Sequence, residues 1–520
     1  MKKLPIGIST LKDILDGGYA YVDKTPHVLK LANSGKYFFL SRPRRFGKSL
    51  LLNTLSEVFA GNEALFRGLH IHPHWDWAVK FPVIHISFGG GVLRNRAELD
   101  RRIQTILKDN QRNLQIHCDD TEDTSYCFAD LIRKAKEQYG QGAVVLVDEY
   151  DKPILDNITD PETAAEMRNG LRNFYSVIKN SDEHMRFAFL TGVSKFSKVS
   201  VFSGLNNLKD ITLDPAFSSV CGYTQTELEH TFAEHLQGVD LVEVKDWYNG
   251  YQWLGEGVYN PFDILLFLDT GKIFRPYWFE TGTPSFLVSL LKSGRHHVPD
   301  LENLEVSSTQ LSDFDIDHIL LETLLFQTGY LTIKSEVTLF EETVFLLNYP
   351  NREVRSTFNQ MVLGRYLLER PPERLPVMRA LLANDFEALQ QRFTALFAGI
   401  ANDNYRKNPI AEYEGYYAAV MYAYLCSLGI DAIAEDTSSR GRIDLTLRFK
   451  LPGGQKQVYI FEFKVIEGEL GDGSALRQLQ DKRYAEKYDD GENRIFLVGM
   501  EFSKATRNIV GFDWQAFSVG

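Results

Sequence analysis

A strand-like run that enters a helix through a short basic loop constrains this chain more than any other feature. In YFFLSRPRRFGKSLLLNTL, Tyr37 to Leu55, apolar residues lead into Arg42, Arg44 and Arg45, close on Gly47-Lys48-Ser49 and continue with helical periodicity. A strand followed by a helix that returns to the same sheet makes a crossover, and crossovers build parallel sheets covered by helices. Four such apolar runs (YFFL, FPVIHISF, AVVLVDEY and RFAFLTGV) alternate with helical patterns between about residues 20 and 220. The expected fold there is α/β.

The loop itself has two readings. A phosphate loop needs converging backbone N–H groups, a lysine that reaches the β and γ oxygens, a hydroxyl for Mg²⁺ and a helix N-terminus behind them. Gly47, Lys48 and Ser49 suit those parts in order, but Arg42 stands where G-x-x-x-x-G-K-[ST] has its first glycine. A basic turn beside a helix is the competing reading; in the phosphate reading Arg42, Arg44 and Arg45 add cations around a triphosphate. In AVVLVDEYDKP an apolar run ends at Asp148-Glu149, the pattern in which one carboxylate holds Mg²⁺ and its neighbour activates the attacking water. RFAFLTGV ends in Thr191, followed by Ser194 and Lys195. Thr191 suits contact with a γ-phosphate, and a plain turn explains it equally.

At 520 residues the chain has room for about three domains. Residues 1–220 form the α/β domain, 221–400 a mostly helical lid or connector with one hairpin in YLTIKSEVTLFEETVFLLN, and 401–520 a second α/β unit. Four cysteines without C-x-x-C spacing fit a reducing compartment. With no apolar run long enough to span a bilayer and no signal-like N-terminus, the expectation is a cytoplasmic protein without membrane contact. The formal charge of −12 excludes indiscriminate polyanion binding, so any nucleic-acid contact is local. The aromatic runs WYNGYQW and YWF suit base stacking or, more ordinarily, core packing. His70, His72 and His74 suit a metal only if they lie on a strand; a surface loop is the alternative.

In the last 120 residues a helical run, three strand-like runs, a helix and a strand follow one another. Asp444 lies in GRIDLTLRFK, and Glu462 and Lys464 alternate with Phe461, Phe463 and Val465 in YIFEFKV. Period two puts Glu462 and Lys464 on one face. An Asp and a Glu on neighbouring strands can share a hard cation that polarises a phosphodiester, with the lysine beside the attacking water or the transition state. A solvated cross-strand pair is the bland alternative. Residues 401–520 carry 15 Lys plus Arg against 18 Asp plus Glu, a formal charge of −3. Arg440, Arg442, Lys482, Arg483 and Lys487 are left as candidate phosphate contacts along one edge.

The stretches YVDKT, SRPRRFGKS, VLVDEYDKP, LTGVSKFSKVS, WYNGY, VYNPFDIL and LLFQTGYLTI resemble the bacterial family of AAA-ATPase-like proteins with a C-terminal PD-(D/E)XK nuclease superfamily domain. The resemblance runs over most of the chain and makes the RPRRFGKS form of the loop usual. It implies a P-loop NTPase sheet, ATP bound by Arg44, Arg45, Gly47, Lys48, Ser49, Asp148 and Thr191, and Mg²⁺ or Mn²⁺ at Ser49 and Asp148. Glu149 is implied as the ATPase base. The superfamily motif maps onto Asp444, Glu462 and Lys464, with Glu414 as a further metal ligand, Gln478 on the following helix and Glu435 as another acid. Where the family often has Tyr-His, this chain has Tyr416-Tyr417, so no histidine takes part there. DNA is the implied partner, homo-oligomerisation completes many ATPases of this kind, and defence against foreign DNA is the implied task.

Overall fold

The computed structural model describes residues 1–195, 207–282, 298–312, 320–366, 374–400 and 414–517. Its contacts divide the chain into two compact units, Met1–Leu290 with Asn303–Glu353 and Leu291–Glu302 with Val354–Gly520. Residues 221–400, expected as a mostly helical lid or connector, fall partly in the first unit, up to Leu290 and over Asn303–Glu353, and partly in the second, over Leu291–Glu302 and from Val354.

The first unit is built on a five-stranded parallel sheet of β1 (Tyr37–Ser41), β2 (Val83–Ser87), β3 (Ala143–Asp148), β4 (Met185–Gly192) and β5 (Lys209–Asp210), in the order β2-β3-β4-β1-β5. β1 and β3 are buried at every residue, which explains why they read as unbroken apolar runs rather than alternating ones. All four expected strands are present, and β5 is added at the edge. Between them run the helices Lys48–Phe59, Arg96–Leu114, Thr124–Tyr139 and Pro161–Asn180. Three of these start at side-chain caps that satisfy the first free N–H groups: Asn95 accepts from Glu98, Asp123 from Ser125 and Tyr126, and Asp160 from Thr163.

Beyond β5 a helical layer with its own core packs Leu228, Phe232, Val244, Tyr248, Ile264 and Phe267 against Ala20 and Val22. The expected hairpin is present as β7 (Thr332–Leu339) and β8 (Glu342–Asn348), and β6 (Leu304–Ser307) makes it a three-stranded sheet.

The second unit holds the helix Glu414–Ser427 and a sheet of β9 (Asp431–Ser438), β10 (Gly441–Lys450), β11 (Lys456–Ile466), β12 (Arg494–Ser503) and β13 (Ile509–Ala516), in the order β13-β12-β11-β10-β9. β11 and β12 are parallel because the helix Ser474–Lys482 crosses over between them; the other pairs are antiparallel. The expected succession of helix, three strands, helix and strand is present, with β13 added. Among the described residues no helix is long and apolar enough to cross a membrane.

Candidate functional site

At the end of β1 the chain turns through Arg42 to Gly47 into the helix Lys48–Phe59. Two residues of this loop are left-handed, Arg45 at φ 70° and Gly47 at φ 91°. Left-handed residues between right-handed ones turn successive N–H groups to one side and form a concavity for an anion at the helix start. Arg45 has a side chain in that conformation and costs on the order of 1 kcal/mol, a strain typical of functional loops. Lys48 is buried, and its Nζ donates to the carbonyls of Arg42 and Pro43, both at 2.8 Å. Burial holds the Lys48 ammonium below its usual range, opposed by the charge of Asp148.

β3 ends beside this loop. The two carboxylate oxygens of Asp148 are divided between Ser49 Oγ at 2.6 Å and Thr191 Oγ1 at 3.0 Å, so the expected hydroxyl, carboxylate and strand-end threonine meet at one point. A hydroxyl and a carboxylate suit a hard cation such as Mg²⁺. Glu149 follows in a left-handed conformation, φ 52°, half-buried and facing Gly89, where an added Cβ would lie 3.3 Å from its Oε2. Burial first and Asp148 second push the Glu149 carboxyl upward, the direction a general base needs.

Arg42 does not face the phosphate concavity as expected. It is fully buried; its guanidinium donates to the carbonyls of Ser41 at 2.8 Å, Thr212 at 2.9 Å and Phe217 at 3.2 Å and lies 4.0 Å over the Trp253 ring. A side chain so placed is anchored behind the loop and cannot reach a triphosphate in front of it. Arg45 is exposed with its guanidinium 4.6 Å from the Phe262 ring, and Arg44 is half-buried with its carbonyl accepting from Trp278 Nε1 at 3.2 Å. The aromatic runs are core, as the ordinary reading had it: Phe46 of the loop packs edge-on against Tyr251 at 4.7 Å and Trp253 at 5.5 Å. Residues 72–74 form a short 3₁₀ turn rather than a strand, which removes the geometry a histidine metal site needed.

Asp151, two positions after Glu149, was not singled out by the sequence reading. It is buried and its Oδ2 accepts from Val193 N at 3.0 Å, Ser194 N at 2.6 Å and Ser194 Oγ at 2.6 Å, which fixes the chain just past Thr191. The doubled acidic pattern DEYD was the available signal.

In the second unit Asp444 on β10 lies one position beyond the Leu445–Phe461 pair, opposite Glu462 on β11. Asp444 Oδ2 accepts from Phe463 N at 2.7 Å; Glu462 Oε1 accepts from Gln478 Nε2 and lies 3.6 Å from Lys464 Nζ. Glu462 is 1% exposed, and its Oε2 has no hydrogen-bond partner. Burial pushes Asp444 up to about 6; burial and the charge of Asp444 push Glu462 up to about 8. Two facing acids with an unpartnered oxygen fit a divalent cation, which would neutralise both.

Glu414, expected as a third ligand, is engaged differently: Lys464 Nζ donates to its Oε1 at 3.1 Å. Among the described residues no three His, Cys, Asp or Glu side chains gather to hold a metal, so the carboxylates left for one are Asp444 and Glu462. The candidate phosphate contacts are largely spent. Arg440 and Arg483 pair with Glu486, Arg442 with Glu435 and Lys487 with Asp436. Glu435 is thus drawn to Arg442 at 2.8 Å, away from any metal role.

The N-terminal region matches the predicted AAA-ATPase family over residues 5–202, and residues 412–512 match the PD-(D/E)XK nuclease superfamily. A protein from the vnfD 5′ region of Azotobacter chroococcum mcd 1 is 53% identical over 519 residues, 98% of each chain. The chain belongs to this family of AAA-ATPase-like proteins with a C-terminal PD-(D/E)XK nuclease superfamily domain. The parallel sheet of this family member is a P-loop NTPase fold, and its C-terminal mixed sheet is the PD-(D/E)XK-like domain. The AAA-ATPase-like match spans Lys48, Ser49, Asp148, Glu149 and Thr191; the nuclease superfamily match spans Glu414, Asp444, Glu462 and Lys464. Among solved structures, the Aeropyrum pernix Orc1 protein in complex with DNA is 12% identical, with 73% of this chain and 97% of that chain covered and a TM-score of 0.27.

Proposed function

We propose that this protein binds and hydrolyses Mg-ATP at the Gly47-Lys48-Ser49 loop and that nucleotide state controls a metal-dependent nuclease whose residues are Asp444, Glu462 and Lys464. The observation that carries this reading is the convergence of those three on one sheet face with Glu462 Oε2 buried and unpartnered. A divalent ion held by Asp444 and Glu462 would polarise a phosphodiester and acidify a bound water.

Lys464 supplies a fixed positive charge near the developing charge of the phosphorus centre, and Glu414 sets where that ammonium points. Gln478 fixes the Glu462 carboxyl through Oε1 and leaves Oε2 for the ion. In the first unit Lys48 would exchange its carbonyl partners for the β and γ oxygens of a bound ATP, Ser49 and Asp148 would hold Mg²⁺, and Glu149 would take a proton from the attacking water. DNA is the nucleic acid expected, defence against foreign DNA the task, the cytoplasm the compartment and a homo-oligomer the working form. The paired edge cations favour a second reading, a nucleotide-switched scaffold whose nuclease-like domain does not cut.

Cleavage of linear, circular and single-stranded DNA and of RNA with Mg²⁺ or Mn²⁺, with and without ATP, tests the two readings. Cutting lost in Glu462→Ala and altered in Lys48→Ala supports the first; wild type that hydrolyses ATP and cuts nothing supports the second.

A further inference from the structure

The loop lacks its first glycine, and its replacement is buried behind the loop. At 0% exposure, the Arg42 guanidinium spans from the carbonyl of Ser41, at the exit of β1, to those of Thr212 and Phe217, beyond β5. Among the described residues no carboxylate bonds it; three carbonyl dipoles and the Trp253 ring at 4.0 Å face its charge. Burial pulls it down to about 10, so it remains a cation at neutral pH. Arg42 N also donates to Gly192 O at 3.2 Å, Ser41 Oγ to Val193 O at 2.5 Å and Ser41 N to Thr212 Oγ1 at 3.0 Å. The residue is therefore tied on its main chain to β4 and on its side chain to the segment after β5, while its carbonyl carries Lys48 Nζ. Arg42 is not among the positive-φ residues, so this loop position does not need glycine.

We infer that Arg42 is a positioning residue for the nucleotide: at a loop position whose backbone needs no glycine, its buried fork holds the loop open from behind, with Lys48 aimed at the phosphates. This rests on the ATP-binding reading above. Burying a cation without a carboxylate is expensive. A fork that reaches three carbonyls at once gives a return a lysine cannot match, because an ammonium lacks the planar donor set and the stacking face.

The test is binding of a fluorescent ATP analogue with Mg²⁺ to the full chain, comparing wild type with Arg42→Gly and Arg42→Lys. Although Arg42→Gly restores the glycine pattern, it is expected to weaken binding about tenfold or more, the scale of one lost charged hydrogen bond. Added guanidinium ion, at concentrations too low to denature, should fill the vacated site and recover much of that affinity in Arg42→Gly and none in Lys48→Ala. Arg42→Lys, with its charge retained, should remain weakened and show no recovery. Arg42→Gly binding as tightly as wild type, or Arg42→Lys restoring full affinity, overturns the inference. If wild type binds no nucleotide, the ATP reading fails by itself, and hydrogen exchange at amides 44–49 then decides: faster exchange in both Arg42 variants supports the anchoring, unchanged exchange refutes it. If Arg42→Gly does not fold, Arg42→Lys supplies both readouts.

Discussion

The buried acid pair behind the phosphate loop gives this fold a pH dependence that can be measured. Asp263, in the helix Pro261–Asp269, and Glu353 are both 0% exposed and lie close enough for the charge of Asp263 to act on Glu353. Burial pushes Asp263 up to about 8, and burial with the charge of Asp263 holds Glu353 well above the carboxylate range. The pair therefore keeps at least one proton in the folded state that the unfolded chain, with its Asp near 3.8, has released. Between about pH 4 and pH 8 the folded state binds more protons than the unfolded one, so this contribution to stability is complete below pH 4 and is lost as pH rises through 8.

The slope is about 1.4 kcal/mol per pH unit for one proton, so the rise from pH 6 to pH 8 should cost about 2 to 3 kcal/mol. The same pair is joined to the loop. Glu353 Oε1 accepts from Trp278 N at 2.9 Å, and Trp278 Nε1 donates to Arg44 O at 3.2 Å. Asp263→Asn keeps the shape and removes one ionisation. Urea unfolding of wild type and variant, followed through the tryptophan fluorescence of the first unit at pH 6, 7, 8 and 9, should give a wild-type stability that falls with pH and a flatter variant curve. A wild-type curve flat across that range, or two curves with equal slopes, would refute the shared proton.

Four further outcomes are expected. Gly329 has φ 90°, and an added Cβ would lie 2.7 Å from Pro43 Cγ, so Gly329→Ala should destabilise the loop by about 1 to 3 kcal/mol and raise the KM for ATP, measured by steady-state hydrolysis. Glu501, 1% exposed, accepts from Asp472 N, Gly473 N, Ala475 N and Ser474 Oγ at 2.7 to 3.1 Å, which fixes the start of the helix that carries Gln478. Glu501→Ala should therefore lower the melting temperature of the second unit, at a cost of about 2 to 4 kcal/mol, and reduce cleavage, with both effects read on one preparation. EDTA should abolish cleavage and excess Mg²⁺ restore it; Glu462→Gln should bind DNA in a gel-shift assay as wild type does and cut it at least about 100-fold more slowly.

The strands and the pairing of residue types were legible because they depend on short-range pattern. Period two placed Glu462 and Lys464 on one face, and the end of a buried apolar run located Asp148. The short strand β5, with only Lys209 and Asp210, and the mixed-polarity β13 carry no such period and went unread. The ion pairs that consume Arg440, Arg442, Arg483 and Lys487 were equally hidden, since a charge shows nothing in sequence about which partner it meets.

By itself the sequence determined the two α/β units, the strand–loop–helix around Gly47-Lys48-Ser49 and the acids at the strand ends, because periodicity and local sterics act within a few residues. Tertiary structure alone decided what Arg42 does. Its partners, Thr212, Phe217 and Trp253, lie 170, 175 and 211 positions away, and only the folded chain brings two distant carbonyls and an indole around one guanidinium.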